Sequence, residues 1–493
     1  MFKTIISKIK EVLYKLNIIK GIQKMTDAVT VQVSEESYKK IDVWRELYAG
    51  YHFPFHDIRY QTIDGQKKRR MASLGMPKVI AQEMATLVFN EKCQISISDE
   101  KLAENIKNVL SQNNFIKEFQ RYIEYAFAMG GSVLKVYFDN EIKISYVNAD
   151  CFLPTEWDNQ GIRSGVFVNQ TVKGEDTYTL LEWHTWQGTQ YIIRNELYKS
   201  SNKNELGIRV LLTTLYPDLA EETPIDNLNR PLFVYIKPNT ANNVDLTSPL
   251  GISLYANSLD TLKAIDTAFD SFEREFRLGK KRIIVPETAV KSVVDPETGQ
   301  FVRYFDTNDE VYQAMNLGES LTKPIEEMTV TLRVEEHIAA INAMLAYLAM
   351  QTGFSPGAFK FDASGMKTAT EVVSENSKTF RTKQAHETVI EAAIKELIEA
   401  IVQVAELYEM FSAPDEPYEV TVTFDDSIAE DTSAIANRQI MLVTAGLQSK
   451  LRAIMKVQGI TEEEAQEILA EIQEENKTLT PEISDLFGTG DET

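Results

Sequence analysis

The chain has 493 residues, 43% hydrophobic and 25% charged, with 73 acidic against 51 basic side chains and a net charge of −22. That length exceeds one core and predicts roughly two to four domains, and the composition is that of an ordinary folded protein. So acidic a chain is not built to clamp nucleic acid by neutralising phosphates, and any such contact must be local or weak.

Residues 1–37 open with MFKTIISKIKEVLYKLNIIKGIQKM, six lysines among apolar Phe2, Ile5, Ile6, Ile9, Val12, Leu13 and Leu16. This predicts an amphipathic basic helix, with lysines too frequent for a signal-peptide core. It could dock on protein, remain a mobile tail or lie on a membrane surface. No run of 18 apolar residues exists, so no membrane span is expected. The two cysteines, Cys93 and Cys151, form no CxxC pattern and suit a reducing compartment.

Residues 38–130 read as helical: SYKKIDVWRELYAGY, then PKVIAQEMATLVFNE opened by Pro77, then NNFIKEFQRYIEYAFAMG stopped by Gly130 and Gly131. From 132 the period changes to two, in SVLKVYFD, EIKISYV, SGVFVNQTV, YTLLEWHTW and QYIIRNELYK, which predicts antiparallel strands. The N-terminal region is thus α+β.

At Ser248 the pattern returns to helix. Tyr255, Leu259, Leu262, Ile265, Phe269, Phe272 and Phe276 recur at spacings of four and three, closing at Gly279. One helix of about 25 residues and ~38 Å is expected over 249–278. The segment GKKRIIVPETAVKSVVDPETGQFVRYFD follows, with a hairpin signal at VVDPETGQFV. Its basic triplet Lys280, Lys281 and Arg282 complements the helix dipole or serves as a docking surface.

A second, Ala-rich helix covers 331–352. Then TGFSPGAFKFDASGMKT interrupts the helices with Gly and Pro, yet carries Phe354, Phe359 and Phe361 beside Lys360 and Lys367. Aromatic side chains in such a loop need something to touch. A third helix spans roughly 368–411, about 66 Å. Its back half has an ordinary apolar stripe, whereas its front half, with Lys378, Arg381 and Lys383, is polar nearly all round. Such a helix lines solvent or bridges subunits. The strand EVTVTFDDS, three short helices to about 475 and an acidic tail, 476–493, complete the chain.

Little reads as chemistry. There is no phosphate-cradling glycine loop and no HExxH segment. The pair in YHFPFH (His52, His56) has metal-like spacing, but Pro54 breaks helical geometry. Asp425, Asp426, Glu430 and Asp431 in FDDSIAED could hold a divalent ion for phosphodiester cleavage, or could simply cap a helix. A metal-dependent nuclease built on 424–431 is therefore the alternative reading.

Together WRELYAGYH (44–52), MPKVIAQEMATLVFNE (76–91), PLGISLYANSLDTLKAIDTAFDSFEREF (249–276), GFSPGAF (353–359), KTATEVVSENSKTFRTKQ (367–384) and FDDSIAED (424–431) carry a resemblance. The chain resembles the portal, or head-to-tail connector, proteins of tailed double-stranded-DNA bacteriophages, of the siphophage type that infects Gram-positive hosts. The resemblance implies an α+β portal subunit with wing (38–248), two-helix stem (249–278 and 331–352), small β-containing clip (279–330), long kinked helix with a wing strand (368–424) and helical crown (425–475).

It implies a closed ring, typically a dodecamer, at one capsid vertex of the virion, assembled in the host cytoplasm. Double-stranded DNA would pass non-specifically through its channel during packaging and ejection. Terminase, major capsid and scaffolding proteins, and a head-completion adaptor would be its partners. No catalytic residue, cofactor or metal is implied. The loop 353–367 matches the tunnel loop, so Phe359, Lys360, Phe361 and Lys367 would face the duplex, or the phenylalanines would pack loop against loop. Lys378, Arg381 and Lys383 would face the channel or a neighbouring subunit. Lys280, Lys281 and Arg282 would lie where terminase docks, and Tyr255, Leu262, Phe269, Phe272 and Phe276 would pack the stem.

Overall fold

The computed structural model describes residues 35–62, 65–202, 206–279, 282–284, 291–294, 299, 301–304, 326–328, 331–360, 369–424, 432–458, 460 and 462–479. The fold is α+β. Its body starts with α1 (Glu35–Tyr48), which buries Tyr38, Ile41, Trp44 and Leu47 along one stripe. A single helical turn, α2 (Phe53–His56), leads into a two-stranded ribbon, β1 (Asp57–Thr62) and β2 (Gly65–Arg70), inside a region whose sequence reads as helical.

The next helix, α3 (Met76–Val88), carries Pro77 in its first turn, where the missing N–H costs nothing. Strand β3 (Gln94–Ile97) precedes α4 (Glu100–Gln112), whose cap Asp99 accepts a hydrogen bond from the Leu102 amide at 2.7 Å. α5 (Phe115–Met129) ends at Gly130 with φ +87°, as the left-handed C-cap requires. Phe89 meets Phe119 edge-on at 4.9 Å, and Phe119 stacks on Phe115 at 4.6 Å, so helices and strand share one core.

The strands predicted from residue 132 onward form two antiparallel sheets. β4 (Ser132–Asp139) and β5 (Glu141–Asn148) pair around Asn140, and β12 (Phe233–Ile236) adds to the other edge of β4. A meander of β6 (Phe152–Trp157), β7 (Ile162–Lys173), β8 (Asp176–Gln187) and β9 (Gln190–Ser200) forms the larger sheet. The edge of β9 takes β10 (Ile208–Val210) and β11 (Glu222–Ile225).

The helix expected over 249–278 begins later than its periodicity suggests: α6 is Leu259–Leu278. The preceding residues tuck under the end of α5 instead, with the Leu254 amide donating to Phe127 O at 3.0 Å. Gly251 and Gly130 meet backbone to backbone. A Cβ on Gly130 would lie 2.6 Å from Gly251 O, and one on Gly251 would lie 2.3 Å from Gly130 O. Tyr255 consequently lies outside the helix, buried in the body, where its hydroxyl donates to Trp44 O at 2.9 Å. It does not sit on the helix pair.

The connecting segment contains the short pairs β13 (Arg282–Ile284) with β16 (Glu326–Met328) and β14 (Lys291–Val294) with β15 (Phe301–Tyr304). The second pair places the VVDPETGQFV strands in register, Val294 opposite Phe301. α7 (Val334–Gln351) returns alongside α6, burying Ile341, Leu345, Leu348 and Ala349. Where α6 ends and α7 begins, Arg333 donates to both oxygens of Glu275, at 3.2 and 2.9 Å, and holds its pKa at about 2. Phe272 contacts His337 nearby, ring centroids 5.4 Å apart.

The third helix, α8 (Ala369–Leu407), is continuous over 39 residues. Its back half buries Ile390, Ile394, Leu397, Ile398 and Ile401 against β12 and β4. Near its end Tyr408 stacks on Phe138 at 4.0 Å. β17 (Val420–Thr423) closes the body by pairing antiparallel with β3. The helices α9 (Thr432–Thr444), α10 (Lys450–Gln458) and α11 (Glu462–Leu479) pack in succession, so the first residues of the expected acidic tail are helical.

Candidate functional site

The loop after α7 is built outward from its root. Gly353 takes φ +88° and sits against α8, where an added Cβ would lie 2.6 Å from Thr382 Cγ2. The Phe354 amide then reaches back to Ala349 O at 2.8 Å, the closing bond of a Schellman-type cap, and Phe354 inserts into the core, 2% exposed. Ser355 fastens the next turn to α8. Its amide donates to Thr379 Oγ1 at 2.8 Å, and the Thr379 amide donates to Ser355 Oγ at 3.3 Å.

Phe359 folds onto Phe354, ring centroids 5.0 Å apart, and packs on the main core. That gives the aromatic side chains of this loop their contact: two of the three turn inward. Lys360 is exposed. Phe361 and Lys367 lie outside the described residues.

On α8, Lys378 donates its ammonium to Met350 O, tying the helix to the end of α7, while Arg381 is exposed. Lys383 departs from its expected place facing the channel or a neighbouring subunit. It is 2% exposed and paired with Glu387 at 2.7 Å, one helical turn on, because burying the aliphatic stem requires a counter-charge for its ammonium. His386 beside it is also buried. Its Nδ1 accepts from the Asn239 amide at 3.1 Å, its ring lies against Phe127, and burial lowers its pKa to about 4.

The helix pair carries its apolar side chains unevenly. Leu262 is buried, Phe269 and Phe272 are half-buried and Phe276 is 45% exposed. Phe272 and Phe276 touch each other at 5.1 Å. Lys280 and Lys281 lie outside the described residues, and Arg282 opens β13.

Two aspartates on α6 that the periodicity reading passed over hold much of the ribbon's base. Asp266, 5% exposed, accepts from Ser73 Oγ (3.0 Å) and the Leu74 amide (2.8 Å), and pairs with His56 Nε2 (3.0 Å). Asp270, 4% exposed, takes both Arg69 guanidinium nitrogens (2.7 and 2.6 Å) and the Ala72 amide (3.0 Å), and these bonds keep its pKa below the usual carboxylate range. Two acids four residues apart on an otherwise apolar face were the signal available in the sequence.

His56 Nδ1 accepts from the His52 amide at 2.8 Å, so both of its ring nitrogens are engaged within the protein. A second polar network is buried between the sheets. Glu182 takes Lys135 and His184, and His184 Nδ1 meets Tyr191 Oη at 2.7 Å. Burial opposes the charge on Glu182, but the His184 hydrogen bond and the Lys135 charge overcome it and hold its pKa at about 2. With His184 and Tyr191 sealed from solvent, this network satisfies buried groups and offers no substrate access.

Among the described residues no group of three or more His, Cys, Asp or Glu could hold a metal, and no helix is long and apolar enough to cross a membrane. Asp425, Asp426, Glu430 and Asp431, on which a nuclease reading depends, lie outside the described residues, as do residues 1–34.

Comparison with curated proteins gives no match. The family model described as phage portal protein, SPP1 Gp6-like, matches residues 28–478, nearly the whole of a chain whose two long helices are joined to a third by a short, firmly rooted loop. The chain belongs to that phage portal family.

Proposed function

We propose that this phage head–tail connector protein works as a closed ring, a dodecamer at one capsid vertex, with double-stranded DNA passing along its axis during packaging and ejection. In this reading the body is the wing, α6 and α7 are the stem, 279–330 is the clip, 353–367 is the tunnel loop and 425–475 is the crown. Terminase docks at the clip around Lys280, Lys281 and Arg282 during packaging, and the head-completion adaptor takes its place afterwards. Capsid and scaffolding proteins meet the ring as it assembles in the host cytoplasm. The subunit is a conduit and platform, and the motor activity belongs to terminase.

The observation that carries this reading is the loop root. Phe354 and Phe359 turn inward and Ser355 is pinned to Thr379, while Lys360 remains exposed beyond them. Such a loop presents a charge on a fixed base. Repeated around a ring, Lys360 and Lys367 form a shallow positive belt in an acidic protein, each phosphate contact weak and salt-screened. Such contacts guide a moving duplex without holding it.

The test is DNA packaging by assembled procapsids carrying Lys360→Glu and Lys367→Glu together. Assembly should be unchanged and packaging slowed or arrested. Wild-type rate and extent in that variant would overturn the electrostatic role of the loop, and a wild-type chain that forms no ring would overturn the conduit itself.

A further inference from the structure

The β1–β2 ribbon is unusual for its isolation and its charge. Among the described residues it pairs with no other strand, and a lone two-stranded ribbon is marginal in water unless something packs on it. Its twelve described residues carry five basic side chains against one acidic one, in a chain of net charge −22. Arg59, Tyr60, Gln61, Gln66, Lys68 and Arg70 are all exposed.

The ribbon's surface is aromatic as well as basic. Tyr51 is 39% exposed, Phe53 52% and Tyr60 43%. The Arg70 guanidinium lies 5.2 Å from the Tyr51 ring centre, and that of Arg59 lies 5.8 Å from Phe53. Stacked Arg and aromatic side chains are what protein interfaces concentrate at their centres. The ribbon is also pre-positioned, since Asp266 and Asp270 lock its base to α6, and a rigid element loses less entropy when it docks.

We propose that this ribbon is an intersubunit clasp that docks on an acidic face of a second copy of the chain. The inference rests on the ring reading above and names one surface that would hold the ring together. Charge complementarity argues for that occupant, because a chain with 73 acidic against 51 basic side chains offers more negative than positive surface to a second copy. Duplex DNA suits the ribbon less well. Its cations are interleaved with the exposed rings of Tyr51, Phe53 and Tyr60, and Arg69 is consumed by Asp270, which suits burial in a protein interface better than a run of phosphates.

The experiment compares the full-length chain with Arg59→Glu/Lys68→Glu, and separately with Tyr60→Ala. Light scattering follows assembly against protein concentration and salt, with thermal melting as a control for folding. The clasp predicts unchanged melting of the dilute subunit. It also predicts that the concentration for half-assembly rises about tenfold or more in the charge variant, as loss of a central interface contact would produce. Tyr60→Ala should shift it in the same direction, without the change in salt dependence. Wild-type rings accompanied by variants that assemble at the same concentration would overturn the clasp and leave the ring standing. Variants that assemble normally but lose affinity for a short DNA duplex would reassign the ribbon to nucleic acid and overturn the clasp equally. A wild-type chain that stays monomeric at every concentration would overturn the ring reading first.

Discussion

In the body Trp44, Phe89, Phe115 and Phe119 are each 2% exposed or less, whereas along the helix pair Phe276 is 45% exposed, Leu278 52% and Tyr347 53%. The body closes on itself: helices α1, α3, α4 and α5, the two sheets and the back of α8 share a continuous core. The pair α6–α7 closes only along its inner face, at Leu262, Ile265, Ile341 and Leu345, and leaves an apolar flank in water. Exposed apolar side chains gathered on one flank are a common mark of an interaction surface. One subunit thus combines a part that buries its aromatic side chains with a part that leaves them exposed, as the proposed ring would require.

The sharpest way to break that contrast is a pair of matched truncations. Phe119→Ala removes a fully buried ring and should cost about 3–5 kcal/mol, lowering the melting temperature steeply or preventing soluble expression. Phe276→Ala should change melting of the dilute subunit by less than about 0.5 kcal/mol, as surface substitutions do, while weakening assembly measured by light scattering. Equal melting losses in the two would show that the helix pair stabilises itself as the body does.

The join between the two regions gives a smaller effect. Asp270→Asn leaves Arg69 without its counter-charge and should cost about 2–3 kcal/mol. That is below a fully buried ion pair because the Arg69 side chain keeps 19% of its surface in water. Limited proteolysis should then cut within 57–74 before the body is touched. A variant with unchanged melting and an uncut ribbon would show that the ribbon is held by its other bonds.

The smallest effect is one of pH, and it belongs to the body. His386 is neutral in the fold, with a pKa of about 4, and titrates near 6.5 when unfolded. Between those values the unfolded chain binds the extra proton, so stability falls as pH drops through that window. His184, lowered by burial against the pull of Glu182, acts in the same direction. From about pH 6.5 to pH 5 the His386 contribution should reach about 1–2 kcal/mol, and His386→Gln should flatten that part of the melting-temperature profile. A profile of unchanged slope would place the pH sensitivity elsewhere.

The sequence was most readable where one period ran unbroken. The alternation in SVLKVYFD and QYIIRNELYK predicted β4 and β9, and the apolar stripe after Val389 predicted the buried half of α8. It misled at 249–258, where apolar spacing continues the helix pattern but Gly251 needs the backbone of Gly130 at close range, a contact between distant segments that no local period can announce. Lys383 was misplaced for a related reason. Its neighbours are polar, yet Glu387 one turn away makes its burial tolerable, and only the packing of α8 decides between a free and a buried pair. The ribbon went unread because GQKKRR lacks strand alternation, although Asp64-Gly65 between it and DIRYQT is a hairpin turn signal. In the loop, the glycines and Pro356 were legible as breaks. The inward turn of Phe354 and Phe359 was not, since it depends on Thr379 and Thr382 of the following helix.

The two aspartates of α6 also set a clock during synthesis. His56 and Asp266 are 210 residues apart, and Arg69 and Asp270 are 201 apart. At roughly 5–20 residues per second, the N-terminal segment waits about 10–40 s after leaving the ribosome before its partners exist. Throughout that interval the strongly basic ribbon is a nascent element without its acidic counterpart. The order of synthesis therefore leaves residues 57–74 open to capture by other molecules during that interval, although β3 waits longer still for its partner β17.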